Sequence, residues 1–141
     1  MYWIFIFVVI IIVWVLVNFF ISYSKHRRAI VAQGGMKLIY KTLIEGLLRY
    51  GSARIIRDEI DLVTIGGTFT DPLCNRECGL WSVSIQRAFA LLNIQYRAHI
   101  DLGGGKSTKQ AWDFPIDMDQ EKMLEIIKRK SDEWDIFGII K

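Results

Sequence analysis

Only two prolines occur in 141 residues, and neither a repeat nor a low-complexity run is present. That scarcity argues against a disordered chain and against a solenoid, whose compositions are biased or periodic. Cysteine is limited to Cys74 and Cys78, too few for a disulfide scaffold. The two histidines, His26 and His99, supply no zinc ligand set, so no metal and no cofactor is expected. A strong charge imbalance is missing too. The formal charge of +3 is partly explained by one cluster, Lys25, His26, Arg27 and Arg28. Outside that cluster the chain is near neutral, which leaves nucleic-acid binding without electrostatic support.

What is present first is a long apolar run. Residues 2–21 (YWIFIFVVIIIVWVLVNFFI) contain no charged side chain. At 1.5 Å per residue, about 20 residues cross a hydrocarbon core of roughly 30 Å. The basic cluster follows at once, with Lys37 and Lys41 beyond it. Positive flanks stay on the cytoplasmic side, so the expectation is a single-pass signal anchor in the cell (inner) membrane. Its N-terminus lies outside and the remainder is cytoplasmic, where the cysteines stay reduced. A cleaved signal peptide would need a basic start, a shorter apolar core and a small-residue cleavage site. Ala29 and Ala32 lie beyond the charge cluster. Tyr2, Trp3 and Tyr23 suit the two interfaces. Asn18, the lone strongly polar side chain inside, meets either a partner helix or the headgroups.

The remaining chain divides into a basic connector, 24–35, ending at the breaker Gly34-Gly35, and one soluble α+β domain, 36–141. Residues 36–50 place Met36, Ile39, Tyr40, Leu43, Ile44, Leu47 and Leu48 on one helical face. Glu45 and Arg49 are spaced for an i,i+4 pair, and Gly51 is placed to end the helix. The apolar stripe is expected to pack on the domain's own sheet rather than on the bilayer. Residues 54–57 and 61–65 read as a hairpin around Asp58-Glu59, with Gly66-Gly67 marking a bulge or an end. Residues 70–79 read as a loop. Residues 80–92 fit a strand at their start, but Ile85, Phe89 and Leu92 also fit a helix. From 94 to 102 the alternation is strict, with Ile94, Tyr96, Ala98, Ile100 and Leu102 against Gln95, Arg97, His99 and Asp101. Gly103-Gly104-Gly105 turns the chain, and Trp112, Phe114 and Ile116 supply a return strand that Pro115 either places at an edge or ends. Asp117 or Asp119 caps a last helix to about residue 130, with Met123, Ile126 and Ile127 on one face.

Four features bear on chemistry. Residues 103–108 (GGGKST) resemble the end of a phosphate loop. However, Ile100 stands where its first glycine belongs, and Pro115 cuts short the helix it requires, so no nucleotide is expected. Cys74 and Cys78 are separated by three residues, where the thiol redox motif has two. The carboxylates Asp58, Glu59, Asp61 and Asp113 lack the lysine that a metal-dependent nuclease sets beside them. The apolar tail 134–140 offers Trp134, Ile136 and Phe137 either to its own domain or to a protein partner.

The order helix, hairpin, further strands and final helix, with Asp58-Glu59-Ile60-Asp61-Leu62-Val63 heading into a strand, resembles small YbjN-like and type III secretion chaperone-like domains. The resemblance covers residues 36 to about 130. It implies a curved antiparallel sheet flanked by terminal helices that binds protein partners without catalysis. The expected function is therefore a membrane-anchored, non-catalytic protein-binding module of the chaperone or adaptor kind. The sheet face or the tail would make the contact. The alternative is a membrane-tethered thiol oxidoreductase using Cys74 and Cys78.

Overall fold

The computed structural model describes residues 2–49, 51–71, 74–101 and 105–133. Its first element, α1 (Tyr2–Ala32), is a 31-residue helix. The apolar window of α1 is wholly exposed, and it is long and apolar enough to cross a membrane, a test that a signal sequence also passes. The basic connector expected at 24–35 is largely helical, because α1 runs on to Ala32 before Gly34 and Gly35, both at positive φ, end it. The reason is tertiary: Ile30, near the end of α1, is fully buried in the core of the following domain. Asn18 donates its Nδ2 to the Trp14 carbonyl at 2.9 Å, so within α1 its polarity is met by its own helix.

The helix expected over 36–50 is two helices, α2 (Met36–Ile39) and α3 (Lys41–Leu48). Tyr40 breaks them, with φ −108° and ψ 34°, outside helical values. Gln120 fills the break. Its Nε2 donates to the Ile39 carbonyl at 2.6 Å and its Oε1 accepts from the Leu43 N–H at 3.2 Å. The expected partner of Glu45 also changes: it lies 3.8 Å from Lys41, and α3 ends at Leu48 before Arg49 can complete a further turn. The apolar stripe itself faces inward as expected, with Met36, Tyr40, Leu43, Ile44 and Leu47 all buried.

Among the described residues five strands follow: β1 (Arg54–Asp58), β2 (Leu62–Thr70), β3 (Glu77–Ala88), β4 (Leu91–Ile100) and β5 (Lys106–Pro115). They form one antiparallel sheet in the order β1-β2-β3-β4-β5, with each strand beside its sequence neighbour. The last element among the described residues is α4 (Gln120–Glu133), where Asp119 Oδ1 accepts from the Glu121 N–H at 3.3 Å. The architecture is thus α+β, as the sequence implied.

The ambiguous stretch 80–92 is strand throughout except for a two-residue turn. Ala88 pairs with Leu91, leaving Phe89 and Ala90 as the turn. Gly66 and Gly67, expected as a bulge or an end, lie inside β2. They permit close approach rather than interruption. A Cβ on Gly67 would sit 2.8 Å from Trp81 Nε1, so its absence lets the indole lie across the strand.

Register assigns the two faces of the sheet. Val63 pairs with Ile85, Ile65 with Val83, Ile85 with Ile94 and Val83 with Tyr96. All are buried, and they meet Leu43 and Leu47 of α3 and Met123 and Ile127 of α4 in one core. Each fully buried aliphatic side chain there contributes about 1.5–3 kcal/mol. The opposite face carries Thr64, Ser82, Ser84, Gln95, Arg97, His99, Ser107 and Lys109, all half-buried or exposed.

Candidate binding face

The open face of the sheet holds the most developed polar arrangement in the described residues. Alternation puts every second residue of β4 on it, and these side chains are hydrogen-bonded in series. Asn93 Nδ2 donates to Asp113 Oδ1 at 2.6 Å, Gln95 Nε2 to Asn93 Oδ1 at 3.0 Å, and Arg97 Nη2 to Gln95 Oε1 at 3.4 Å. The run extends from an acid on β5 to a guanidinium near the middle of the face. His99 continues the line, with Nδ1 2.8 Å from Ser107 Oγ and Nε2 2.9 Å from Asp101 Oδ1. Across β2 and β3, Thr64 Oγ1 and Ser84 Oγ are 3.2 Å apart. These bonds hold the side chains in place.

Next to this series lies an open groove of about 620 Å³. Arg54, Arg97 and Lys109 bring three cations to it, and Glu77 is the single acid among its described lining residues. Ile56 and Leu80 add apolar surface, 61% and 64% exposed respectively. The groove can therefore take an anionic group beside an apolar one. On the core side, burial pushes the Tyr40 and Tyr96 phenols above their ordinary pKa, with the Arg87 guanidinium partly opposing this for Tyr40. Both stay neutral and add no charge to the sheet.

The residues singled out from the sequence fall elsewhere. Trp134, Ile136 and Phe137 lie outside the described residues. Cys74 is exposed, and its Sγ donates to Asp71 Oδ2 at 3.3 Å. Cys78 is buried, and its Sγ donates to the Phe69 carbonyl at 3.6 Å. Both are free thiols, in unlike surroundings. Replacing Cys74 with serine is expected to shift stability by less than about 0.5 kcal/mol, as for other exposed positions. The same change at Cys78 should cost about 1 kcal/mol or more, because it puts a stronger polar group into an apolar site. Thermal melts of the two variants check this.

Lys106, Ser107 and Thr108, from the glycine-rich motif, begin β5 and do not open a helix. Three of the four scattered carboxylates are individually engaged: Asp58 with Lys37 at 2.9 Å, Glu59 with Arg57 at 2.6 Å, Asp113 with Asn93, while Asp61 accepts the Arg87 N–H through its backbone carbonyl at 3.0 Å. No group of three His, Cys, Asp or Glu side chains is placed to hold a metal among the described residues.

Sequence reasoning placed Arg97 and His99 on the polar side of a strand but did not join them to Arg54 and Lys109. Strict alternation in β4 was the available signal, and the convergence needed the register of five strands. No protein-family model matches this chain, and neither a curated protein nor a solved structure matches it.

Proposed function

We propose that this chain is a single-pass membrane protein whose domain binds an acidic segment of another protein on its open sheet face, without catalysing a reaction. The observation that carries the reading is the groove, where three cations face one acid beside exposed Ile56 and Leu80. Charge complementarity of this kind steers a partner and fixes its register, and the apolar pair supplies area to bury. The prearranged hydrogen bonds around Arg97 lower the ordering cost of binding. In this reading α1 crosses the cell membrane with its N-terminus outside and holds the domain on the cytoplasmic side. A reporter fused to the carboxyl end should be active only in the cytoplasm; activity only on the outer side would invert the topology.

The binding reading is tested by a photo-crosslinking residue placed at Leu80 in the full chain. The expected adduct is a protein, captured through an acid-rich segment, and it disappears in the Arg97→Glu plus Lys109→Glu variant. Two reversed charges should weaken binding about 100-fold, since like-charge juxtaposition costs several kcal/mol and each 1.4 kcal/mol is tenfold. An adduct indifferent to those substitutions would remove the groove as the contact.

A further inference from the structure

The other surface with unexplained chemistry is the end of the domain nearest α1. The final turns of α1 are not a free tether. Ile30 is fully buried in the domain core, and the His26 ring packs on Phe89 with centroids 5.5 Å apart. The β3–β4 turn therefore sits beside the helix just past its apolar run. From Ile21 to His26 is five residues, or about 7.5 Å of helix rise. The polar layer between hydrocarbon and bulk water is about 5–8 Å deep on each side of a bilayer. Phe89, beside His26, thus stands near the outer edge of the headgroup layer where α1 spans.

Its chemistry fits that depth. Phe89 is 54% exposed and Leu91 is 47% exposed, an apolar pair at the tip of a hairpin. The Phe89 backbone has φ of +51°, a conformation that glycine or asparagine adopts with little strain and a bulky residue does not. The ring packs on His26, yet more than half of its surface is left uncovered by the domain. On the flank of α1 a shallow groove of about 470 Å³ is lined by Arg27 and Arg28 together with Val31 and Ile60. The Arg27 guanidinium carbon lies 5.7 Å from the Tyr23 ring centroid, at the level where aromatic belts form. Arg27 and Arg28 follow Ile21 by six and seven residues, about 9–11 Å of helix rise, so their long side chains are within reach of anionic headgroups, while Val31 lies farther from the apolar run.

We infer that the Phe89 turn and the Arg27-Arg28 flank of α1 seat together on the anionic headgroup layer, so that the domain is held on the bilayer at a fixed tilt. This rests on the reading of α1 as a membrane span. It orients the sheet as well. Strand β4 then starts, at Leu91, from the end of the sheet seated on the membrane, and Arg97 and His99 lie six and eight residues along the chain from Leu91.

The test uses the full chain in vesicles of phosphatidylcholine mixed with phosphatidylglycerol. A nitroxide is placed on a cysteine at Phe89, at Trp14 or at Lys106, in a Cys74→Ser background. Collision with oxygen is then compared with collision with a water-soluble nickel chelate. The label at 14 should favour oxygen strongly. The label at 89 should favour oxygen at least threefold more than the label at 106, which lies at the far end of β5. A label at 89 as water-exposed as that at 106, with 14 deep in lipid, overturns this inference and leaves the span intact. A water-exposed label at 14 overturns the span, and the inference with it. A Phe89→Gly variant is expected to melt no lower than the parent; a clear fall would make Phe89 a folding residue and also overturn the proposal.

Discussion

Gln120→Ala should destabilise the domain by about 2–4 kcal/mol, the cost of leaving two partly buried backbone groups without partners. The side chain of Gln120 accepts from the Leu43 N–H and donates to the Ile39 carbonyl, the two groups that the break at Tyr40 releases. Alanine supplies neither bond. Water can replace them only by entering beside Tyr40 and Leu43, which are 2% and 0% exposed. For a domain of this size the loss corresponds to a melting temperature lower by on the order of 10–20 °C. Gln120→Glu is a graded control: its carboxylate still accepts from Leu43 but donates nothing to Ile39, so an intermediate fall is expected. Thermal unfolding of the detergent-solubilised chain, followed by circular dichroism, reads both. A Gln120→Ala chain that melts with the parent would show that α2 and α3 are held apart by other means.

Gly67→Val should cost about 3 kcal/mol by overpacking. The added Cβ would lie 2.5 Å from Ser52 Oγ and 2.8 Å from Trp81 Nε1. Neither neighbour is free to move. Ser52 Oγ accepts from the Thr68 N–H and donates to the Thr68 carbonyl, both at 2.8 Å, and Trp81 is 2% exposed in the core. Relief therefore requires the indole to leave its position or β2 to part from the segment before β1. The near-ultraviolet circular dichroism of the tryptophans should weaken along with stability. Retention of both in Gly67→Val would mean the strand accommodates a side chain there.

Both substitutions fall where local pattern and structure part. Periodicity described 36–50 as one helix, and its inward face is indeed Met36, Tyr40, Leu43 and Leu47. The interruption at Tyr40 was invisible because its stabilising partner is 81 residues from Ile39 in the chain. Gly66-Gly67 reads as a bulge or an end, since a glycine pair shows nothing of the indole that will lie against it. Residues 80–92 looked ambiguous for a related reason. Ile85 belongs to β3 and Leu92 to β4, and their helical spacing is an accident of a two-residue turn between them. That turn carries no glycine or asparagine, the usual signal for such a hairpin. The last turns of α1 resemble a connector because they are polar, whereas a helix needs only its backbone bonds, and here Ile30 in the core and His26 against Phe89 dock it.

The candidate face was partly legible. Alternation in 94–102 identified Gln95, Arg97 and His99 as one side of a strand. It could not say whether that side faced water, a helix or another sheet. Nor could it bring Arg54 and Lys109 to the same groove, because those lie on the two edge strands.

By itself, then, the amino-acid sequence determined the apolar helix, the strand periodicities and the α+β class, since each depends on side chains a few positions apart. Only the tertiary structure decided which sheet face lies open, where α2 gives way to α3, and that α1 is fastened to the domain. Those outcomes depend on pairings between distant residues, and no local pattern encodes them.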